Sequence, residues 1–437
     1  MKQLAAIVSA IAMASASAHA VTLDEARARL RLPETAQVKP GDVITAKDAD
    51  RIQNLVSPGV HWLVSRGMTM KIVPHEPYEP PPAFQAATEK YHAQVRLTPE
   101  GVLDESTYVA GRPFPIIDPN DPQAATKVMY NFERTQYFTD DLTAKLFDAE
   151  TGQISRGEGK QRFSVERHFV FDALRILKYI GRTEQPPIPA MPNPEGVLAK
   201  GGTYPMIEPF DLKGVGGLSY RYLDPKKYDD TWIYLPSLRR VRRLSTAQRS
   251  DALFGQDVDL DSSGGYAGQI PWFDWKLLAV RQGLAVGHGK HLPPQPCADD
   301  GGVTFCDDWE LGKGYVVEGT PKLAAYAYSK RIIFVDAESF YITYADMYDH
   351  AGELWKVAVN YGRYDKKPNP NADFEYPFPR TFLYGFVMVD VHLEHGTRAS
   401  LPGMGFAEEP GWFINQGQSM GVGPDWFTIS ALMSEGR

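Results

Sequence analysis

Residues Gly417 to Gly421 match the G-x-S-x-G pattern, in which a sharp turn exposes a nucleophilic serine. In α/β-hydrolases an acid and a histidine follow that serine in the chain. Here the last histidine, His395, precedes Ser419, and Pro424 disfavours the helix that should come after the turn. A triad of another chain order stays open, because geometry defines a triad. A glycine-rich loop is the favoured interpretation, and we expect a protein that is not an enzyme.

Three carboxylates stand two residues apart at Asp257, Asp259 and Asp261, as at the start of a calcium loop. The sixth position of that loop lacks the required glycine, and the twelfth is Gly268 where a glutamate should stand. On a strand the three carboxylates would share one solvent-exposed face. Solvation or pairing with arginine is therefore favoured over calcium binding.

A second group with metal-ligand side chains comprises His288, His291, Asp299 and Asp300. A catalytic zinc site needs three protein ligands in fixed geometry, whereas this spacing suits a loop equally well. We favour an exposed loop and expect no metal. The sequence also has no phosphate-binding loop and no dinucleotide motif after a strand, so no cofactor is expected.

The densest basic run consists of Arg239, Arg240, Arg242 and Arg243. On a strand, Arg240 and Arg242 would point to one face, where they could hold the carboxylate or phosphate of a ligand. The alternative is a set of surface ion pairs with nearby aspartates, each worth little.

Aromatic side chains crowd the same part of the sequence. They either fill the core of a sheet or line an apolar cavity for an acyl chain or a polycyclic ligand, and the sequence leaves both open. The predicted ligand-binding residues are Trp232, Tyr234, Arg240, Arg242, Trp272 and Trp275.

The elements that must position these residues have the pattern of an antiparallel sheet. Gly216 to Leu223 and Thr231 to Leu235 predict a hairpin around Asp224-Pro225. Short turns between successive strands favour a meander over a parallel sheet. Further strands are predicted over residues 314–318, 325–336, 340–346, 355–361 and 386–394.

The chain is predicted to have three parts. Residues 1–20 resemble a secretory leader that ends in an A-x-A site. Residues 21–195 are predicted to form an extension of helices and proline-rich loops, packed on an antiparallel β core of residues 196–437. The first cysteine is Cys297, far from the cleavage site, so we expect a soluble periplasmic protein without a lipid anchor.

Charge and cysteine content limit the function. The net charge of -8 argues against a nucleic-acid binder, which needs a broad basic field. Cys297 and Cys306 are the two cysteines of the sequence, and an oxidising compartment predicts a disulfide between them. Because the loop is short, it should contribute about 2–3 kcal/mol.

Several stretches resemble one bacterial envelope family, known as domain of unknown function thirteen twenty-nine. That family is similar in turn to the periplasmic lipoprotein carriers, which implies a mainly β fold with helices (α+β), a curved, incomplete antiparallel barrel closed over helices. No reaction is established for it, so the resemblance implies a fold and a compartment. The stretches are residues 111–115, 118–119, 127–131, 181–182, 211–214, 229–243 and 257–276.

Three hypotheses follow. The first is a non-catalytic periplasmic carrier of a hydrophobic, lipid-like ligand, whose partners would be an inner-membrane exporter or an outer-membrane protein. The second is an envelope hydrolase of esters or glycans, and the third is a bridging subunit that binds only proteins.

Overall fold

The computed structural model describes residues 21–30, 37–135, 139–157, 160–245, 249–297, 302–403, 405–406 and 411–436. The predicted leader therefore lies outside the described residues. Every helix in these ranges is too short or too polar to cross a lipid bilayer. The helices are α1 (Leu23–Arg29), α2 (Pro58–Ser65), α3 (Pro82–Tyr91), α4 (Ala124–Thr135) and α5 (Ile429–Glu435).

In this part of the chain, 17 strands form one sheet. They are β1 (Val43–Ile44), β2 (Met70–Val73), β3 (Asp141–Gly157), β4 (Lys160–Lys178), β5 (Val197–Thr203), β6 (Met206–Glu208), β7 (Gly216–Tyr222), β8 (Asp230–Leu235), β9 (Arg240–Arg243), β10 (Phe273–Ala285), β11 (Asp308–Pro321), β12 (Lys330–Asp336), β13 (Ile342–Tyr348), β14 (Leu354–Asp365), β15 (Arg380–Asp390), β16 (His395–Ser400) and β17 (Trp412–Ile414).

The strands pair in the order β9-β8-β7-β5-β4-β3-β16-β15-β14-β13-β12-β11-β10, and each pair in this series is antiparallel. β2 joins β11 in parallel at the margin. The end strands β9 and β10 do not pair with each other among the described residues. The fold is therefore mainly β with helices, in a large, curved sheet that is not fully closed, as predicted.

The predicted central hairpin is confirmed, since β7 and β8 span it in antiparallel register, with Gly216 opposite Tyr234. The sheet nevertheless begins before residue 196. β3 and β4 are its longest strands and pair along their length, from Asp141 opposite Leu177 to Gly157 opposite Lys160. Their mixed polar and apolar residues gave no clear period in the sequence, so the β core starts earlier than the predicted boundary.

Both faces of the sheet are covered. On one face, here called the α2 face, Val60 and Leu63 pack in one cluster with Val357 and Val387. On the opposite face, here called the α4 face, helix α4 belongs to a second cluster with Phe169 and Met388. In the predicted strand of residues 355–361, Trp355, Val357, Val359 and Tyr361 alternate with Lys356, Ala358 and Asn360, a pattern that suits a sheet with one face on a core. Lys356, Ala358 and Asn360 are buried as well, because both faces carry a layer.

Helix α2 is fixed to the sheet by a buried carboxyl group on β13. Asp346 accepts hydrogen bonds from the Ser57 hydroxyl at 2.8 Å and from the Gly59 N–H at 2.9 Å. Gly59 permits this close approach, because a Cβ atom there would lie 2.6 Å from Val357. The Gly59 N–H, which lacks a partner within the helix, is thereby satisfied, and the Val60 N–H donates to the Ser57 hydroxyl.

This contact predicts a pH dependence of stability. Burial raises the pKa of Asp346 to about 7, although the bonds from Gly59 and Ser57 oppose the shift. In the unfolded chain the Asp346 carboxyl group ionises near pH 3.9, roughly the ordinary value for aspartate. The free energy of unfolding therefore falls as the pH rises from about 4 to about 7. We expect Asp346→Asn, which cannot ionise, to lack this loss. Relative to wild type it should gain up to about 4 kcal/mol between those limits.

Urea unfolding at several pH values measures this difference. Asp24→Asn, on the exposed surface of α1, is the matched control and should follow the wild-type profile. Parallel profiles for Asp346→Asn and wild type would contradict the assignment.

Candidate functional site

A pocket lies where the ends of β10 to β15 meet the segment that follows β2. Its empty volume is about 740 Å³, including space open to solvent, and the centre of a water molecule can reach about 60 Å³ of it. It is therefore narrow, with room for one end of an elongated molecule. Its walls comprise His75, Tyr78, Phe132, Gly264, Ala285, Val286, Gly287, Glu310, Gly312, Asp336, Ser339, Tyr341, Ile342, Thr343, Asn360, Gly362, Thr381, Phe382 and Leu383.

One wall is the proline-rich segment of residues 74–82, which was expected to be extended or irregular. Proline has no N–H, and three of the other residues donate to side chains of the strands and of the turn after β12. The Glu76 N–H donates to Glu310 at 3.0 Å, and the Tyr78 N–H donates to Glu338 at 3.0 Å. The Glu79 N–H donates to the Tyr364 hydroxyl at 3.1 Å. Side chains of the sheet thus take the place of a neighbouring strand.

Histidines and carboxylates form the polar part of the pocket. His75 lies between Glu310, with Nδ1 at 3.2 Å, and Glu338, with Nε2 at 3.1 Å. Buried His288 contacts the other Glu310 oxygen through Nδ1 at 2.8 Å. The His288 ring also packs on Tyr78, with ring centroids 4.6 Å apart. Glu310 therefore joins both histidines in one network.

The pKa values follow from these contacts. Burial opposes ionisation of Glu310, but hydrogen bonds from His288 and from the Glu76 N–H outweigh it and lower its pKa. For His75, burial disfavours the charged form, and the carboxylates of Glu338 and Glu310 outweigh that effect and raise its pKa. The network therefore favours a charged Glu310.

Asp336 is a second carboxyl group in the pocket wall. Burial raises its pKa, although the Ser339 hydroxyl and N–H, at 2.7 Å each, favour its charged form. A Cβ atom at Gly312 would lie 3.7 Å from Asp336 Oδ2 and 3.7 Å from His75 Nδ1. Gly312 therefore keeps open the space that these two polar groups face.

The aspartates of the 257–261 run lie far from solvent. Asp257 is 5% exposed, and Asp259 and Asp261 are 0% exposed, so the expected solvent-exposed face is wrong. The reason is that residues 257–265, here called the covering segment, lie against the α4 face. Lys356 donates to the carbonyl of Asp257 at 2.8 Å, and Asn360 donates to the carbonyl of Gly264 at 2.9 Å.

Arg331 of β12 is 0% exposed and faces the covering segment. It donates to the Ser262 and Tyr326 hydroxyls at 2.9 Å each. Asp259 accepts from Ser262 at 2.6 Å and from Tyr328 at 2.6 Å. The Ser262 hydroxyl thus links Asp259 to Arg331, and burial raises the pKa of Asp259.

The predicted pairing with arginine is present for Asp261. Arg249 Nε lies 2.7 Å from Asp261 Oδ1, and Arg249 Nη1 lies 3.3 Å from Asp229. Arg221 Nε also donates to Asp229, at 2.8 Å. Asp257 instead contacts His395 Nδ1 at 2.9 Å. These residues hold the fold together, and none of them lines the pocket.

The predicted ligand-binding residues fall into separate places. Trp232 and Tyr234 belong to a cluster with α5, whereas Trp272 and Trp275 pack in the α4-face cluster. The Trp275 Nε1–H donates to the carbonyl of Ile270 at 2.7 Å, which fixes the orientation of this half-buried indole. None of these four lines the pocket, and their ligand-binding role stays a prediction.

Arg240 and Arg242 lie on β9, the end strand, and are exposed. Their cross-strand partners are Leu235 and Ile233, so both point to the face of those residues, as predicted. Arg239 differs, because it has a left-handed backbone before the strand begins. Neither Arg240 nor Arg242 lines the pocket.

The Gly417 to Gly421 motif forms a 3-10 turn. The Ser419 hydroxyl donates to the carbonyl of Gln416 at 2.6 Å and is exposed. No helix follows directly, since Pro424 starts another short 3-10 turn. The glycine-rich loop interpretation agrees with this geometry.

The histidine pair separates. His291 is exposed as expected, but His288 is buried against Glu310, because the chain between β10 and β11 turns back onto the pocket. Asp299 and Asp300 lie outside the described residues. Within the described ranges, Asp349, Glu353 and His392 bring ligand atoms within 4.8 Å of one another at the surface. There Asp349 already accepts the N–H groups of Ala351 and Glu353.

Most of the pocket was not predicted from the sequence. His75 and Tyr78 lie in the predicted extension of helices and proline-rich loops, and Glu310 and Asp336 were not among the predicted site residues. The usable signal was two ring side chains inside a proline-rich segment, which needs outside hydrogen-bond partners. The predicted disulfide between Cys297 and Cys306 is present.

The fold and site define a mainly β protein with an open sheet and a narrow pocket at its strand ends. Residues 43–428 match the family described as "Protein of unknown function (DUF1329)". That match spans most of the chain, so the chain belongs to this family, and the resemblance seen in the sequence is confirmed. No curated protein matches the sequence.

Three solved structures are similar. An outer membrane lipoprotein-sorting protein domain from Vibrio parahaemolyticus has a TM-score of 0.47 and 15% identity, covering 72% of this chain and 100% of that chain. A DUF1329 family protein from Desulfovibrio piger has a TM-score of 0.45 and 16% identity, covering 72% and 99%. A LolA superfamily protein from Nitrosomonas europaea has a TM-score of 0.34 and 16% identity, covering 63% and 90%.

The buried charge of Arg331 gives a prediction about stability. Arg331→Met leaves Asp259 buried without its compensating charge, so we expect a loss of about 3–5 kcal/mol in unfolding free energy. Adding Asp259→Asn removes the uncompensated charge and should restore at least about 1 kcal/mol. Chemical denaturation of the single and double variants measures both effects.

Arg243→Met is the control, because Arg243 forms an exposed ion pair with Asp230. It should cost less than about 1 kcal/mol. Equal losses for Arg331→Met and Arg243→Met would show that the buried network does not stabilise the covering segment.

Proposed function

We propose that this protein is a non-catalytic carrier of a hydrophobic, lipid-like molecule in the bacterial envelope. The observation that carries the proposal is the pocket, which combines apolar walls with a few convergent polar groups. The centre of a water molecule can reach about 60 Å³ of it, so the pocket would enclose one end of the ligand while the rest extends outside. Phe132, Ile342, Phe382 and Leu383 supply the apolar surface that an acyl chain or ring would bury.

The polar groups indicate the end of the ligand that would sit beside them. Asp336 Oδ2 offers an acceptor oxygen, and the space above Gly312 lies between this oxygen and His75. A hydroxyl or amino group on the ligand would donate to Asp336, whereas a carboxylate would meet the like charge of Glu310. We therefore propose a ligand with a long apolar body and a hydrogen-bond donor at one end.

The envelope location is part of the proposal. It is supported by the leader-like residues 1–20 and by the Cys297–Cys306 disulfide, which an oxidising compartment maintains. An exporter or an outer-membrane protein would then load or unload the carrier. The hydrolase alternative has less support, because Ser419 bonds a backbone carbonyl in an exposed turn.

Filling the pocket tests the proposal. Gly312 lies in β11, and an added Cβ would meet its neighbours at ordinary contact distance, so valine fits the strand while its methyl groups enter the pocket. We expect Gly312→Val to bind the uncharged probe N-phenyl-1-naphthylamine at least about tenfold more weakly than wild type. Fluorescence titration measures the dissociation constant.

Gly217→Val is the matched control, because Gly217 lies in β7, away from the pocket, with nothing within 4 Å of an added Cβ. It should bind the probe like wild type. Unchanged probe binding by Gly312→Val would contradict the proposal that the ligand binds in this pocket. If Trp232→Ala weakened binding instead, the ligand would lie at the residues predicted from sequence.

A further inference from the structure

Two turns lie side by side at one end of the β7-β8-β9 ribbon. The first spans residues 209–213 and leads into β7, and the second spans residues 236–239 and joins β8 to β9. They are adjacent because β7 and β8 pair with Gly216 opposite Tyr234. A Cβ atom at Gly214 would lie 3.0 Å from Pro236. The two turns together with β9 are here called the ribbon tip.

Each turn exposes one large apolar side chain. Phe210 is 91% exposed and Leu238 is 50% exposed, whereas most large apolar side chains in the described residues are buried or half-buried. Both lie in short 3-10 turns, each closed by a backbone hydrogen bond. The Lys213 N–H donates to the Phe210 carbonyl, and the Arg239 N–H donates to the Pro236 carbonyl. The two side chains thus project from ordered turns.

The ribbon tip also carries positive charge in a protein whose net charge is -8. Arg239, Arg240 and Arg242 are exposed and form no ion pair with any residue in the described ranges, and the same holds for Lys213. Arg243 pairs with Asp230. The charge at this edge is therefore opposite in sign to that of the whole chain.

Acidic side chains at this end do not neutralise those arginines. Asp211 lies 2.9 Å from Arg167, and Glu208 lies 3.4 Å from His168. Glu435, at the end of α5, is exposed as well. The local excess of unpaired arginine over unpaired carboxylate remains.

We propose that the ribbon tip docks on the surface of a lipid bilayer that contains anionic lipids. Exposed apolar side chains enter the interfacial region while arginines contact phosphate groups, and neither alone gives firm attachment. A small free anion would be held in a concave site, whereas these arginines are spread along an exposed edge strand. The inference does not rest on the carrier proposal, because it concerns another surface.

Vesicle co-sedimentation tests the docking with the mature full-length protein. We expect binding to vesicles in which about a third of the lipid is phosphatidylglycerol and little binding to pure phosphatidylcholine. Binding should disappear at about 1 M salt, where the screening length is about 3 Å. The triple variant Arg239→Glu, Arg240→Glu and Arg242→Glu should bind at least about tenfold more weakly.

A second variant separates the apolar contribution. Phe210→Ser with Leu238→Ser should weaken binding by about threefold or more, and the exposure of both side chains keeps the fold intact. The matched charge control is Lys39→Glu, Lys47→Glu and Lys90→Glu, exposed lysines in the N-terminal part, and should bind like wild type. Circular dichroism of all variants confirms folding.

Gly312→Val should bind vesicles like wild type. The pocket proposal is thus tested by probe titration and the docking proposal by vesicle binding, so either can fail without the other. A wild-type protein that does not co-sediment with anionic vesicles at low salt would overturn the proposal. So would a triple arginine variant that binds as well as wild type. Capture of an acidic protein without vesicle binding would equally overturn it.

Discussion

The buried charge of Arg331 is the interaction on which the α4 face depends. A sheet covered on both faces needs two layers, and here part of one layer is the polar covering segment. That segment brings three aspartates into the interior, and a buried carboxylate is tolerated only when paired and hydrogen-bonded. Arg331, Arg249, Lys356 and His395 meet this requirement from the surrounding elements. The residues that resemble the family motif are thus largely structural.

The pocket depends on a related constraint at the ends of the strands. A proline-rich segment cannot extend the sheet, and three of its remaining N–H groups bond to Glu310, Glu338 and Tyr364. The segment is held there as a wall, and the space beside Gly312 stays open. Trp272 and Trp275 pack, partly buried, against the α4-face core. The site is narrow because the sheet is covered.

Local features of the sequence predicted much of the fold. The β7-β8 hairpin, the strands near residues 314–361 and the disulfide follow from alternation, turn residues and cysteine count. β3 and β4 were missed because their mixed residues face two different layers along one strand. The burial of Asp259 could not be predicted locally, because Tyr328 and Arg331 lie about 70 residues later in the chain, where only tertiary pairing brings them close. Asp261 pairs with Arg249, 12 residues earlier, and with Tyr326.

The central claim is that the pocket holds an apolar molecule. The most direct measurement is mass spectrometry of an organic-solvent extract from protein purified natively from its own envelope, compared with the same protein refolded without lipid. The account predicts one recurrent apolar compound, near one per protein molecule, with a hydroxyl or amino group and absent from the refolded control. An extract without any stoichiometric compound, from protein that also fails to take up apolar probes, would contradict it.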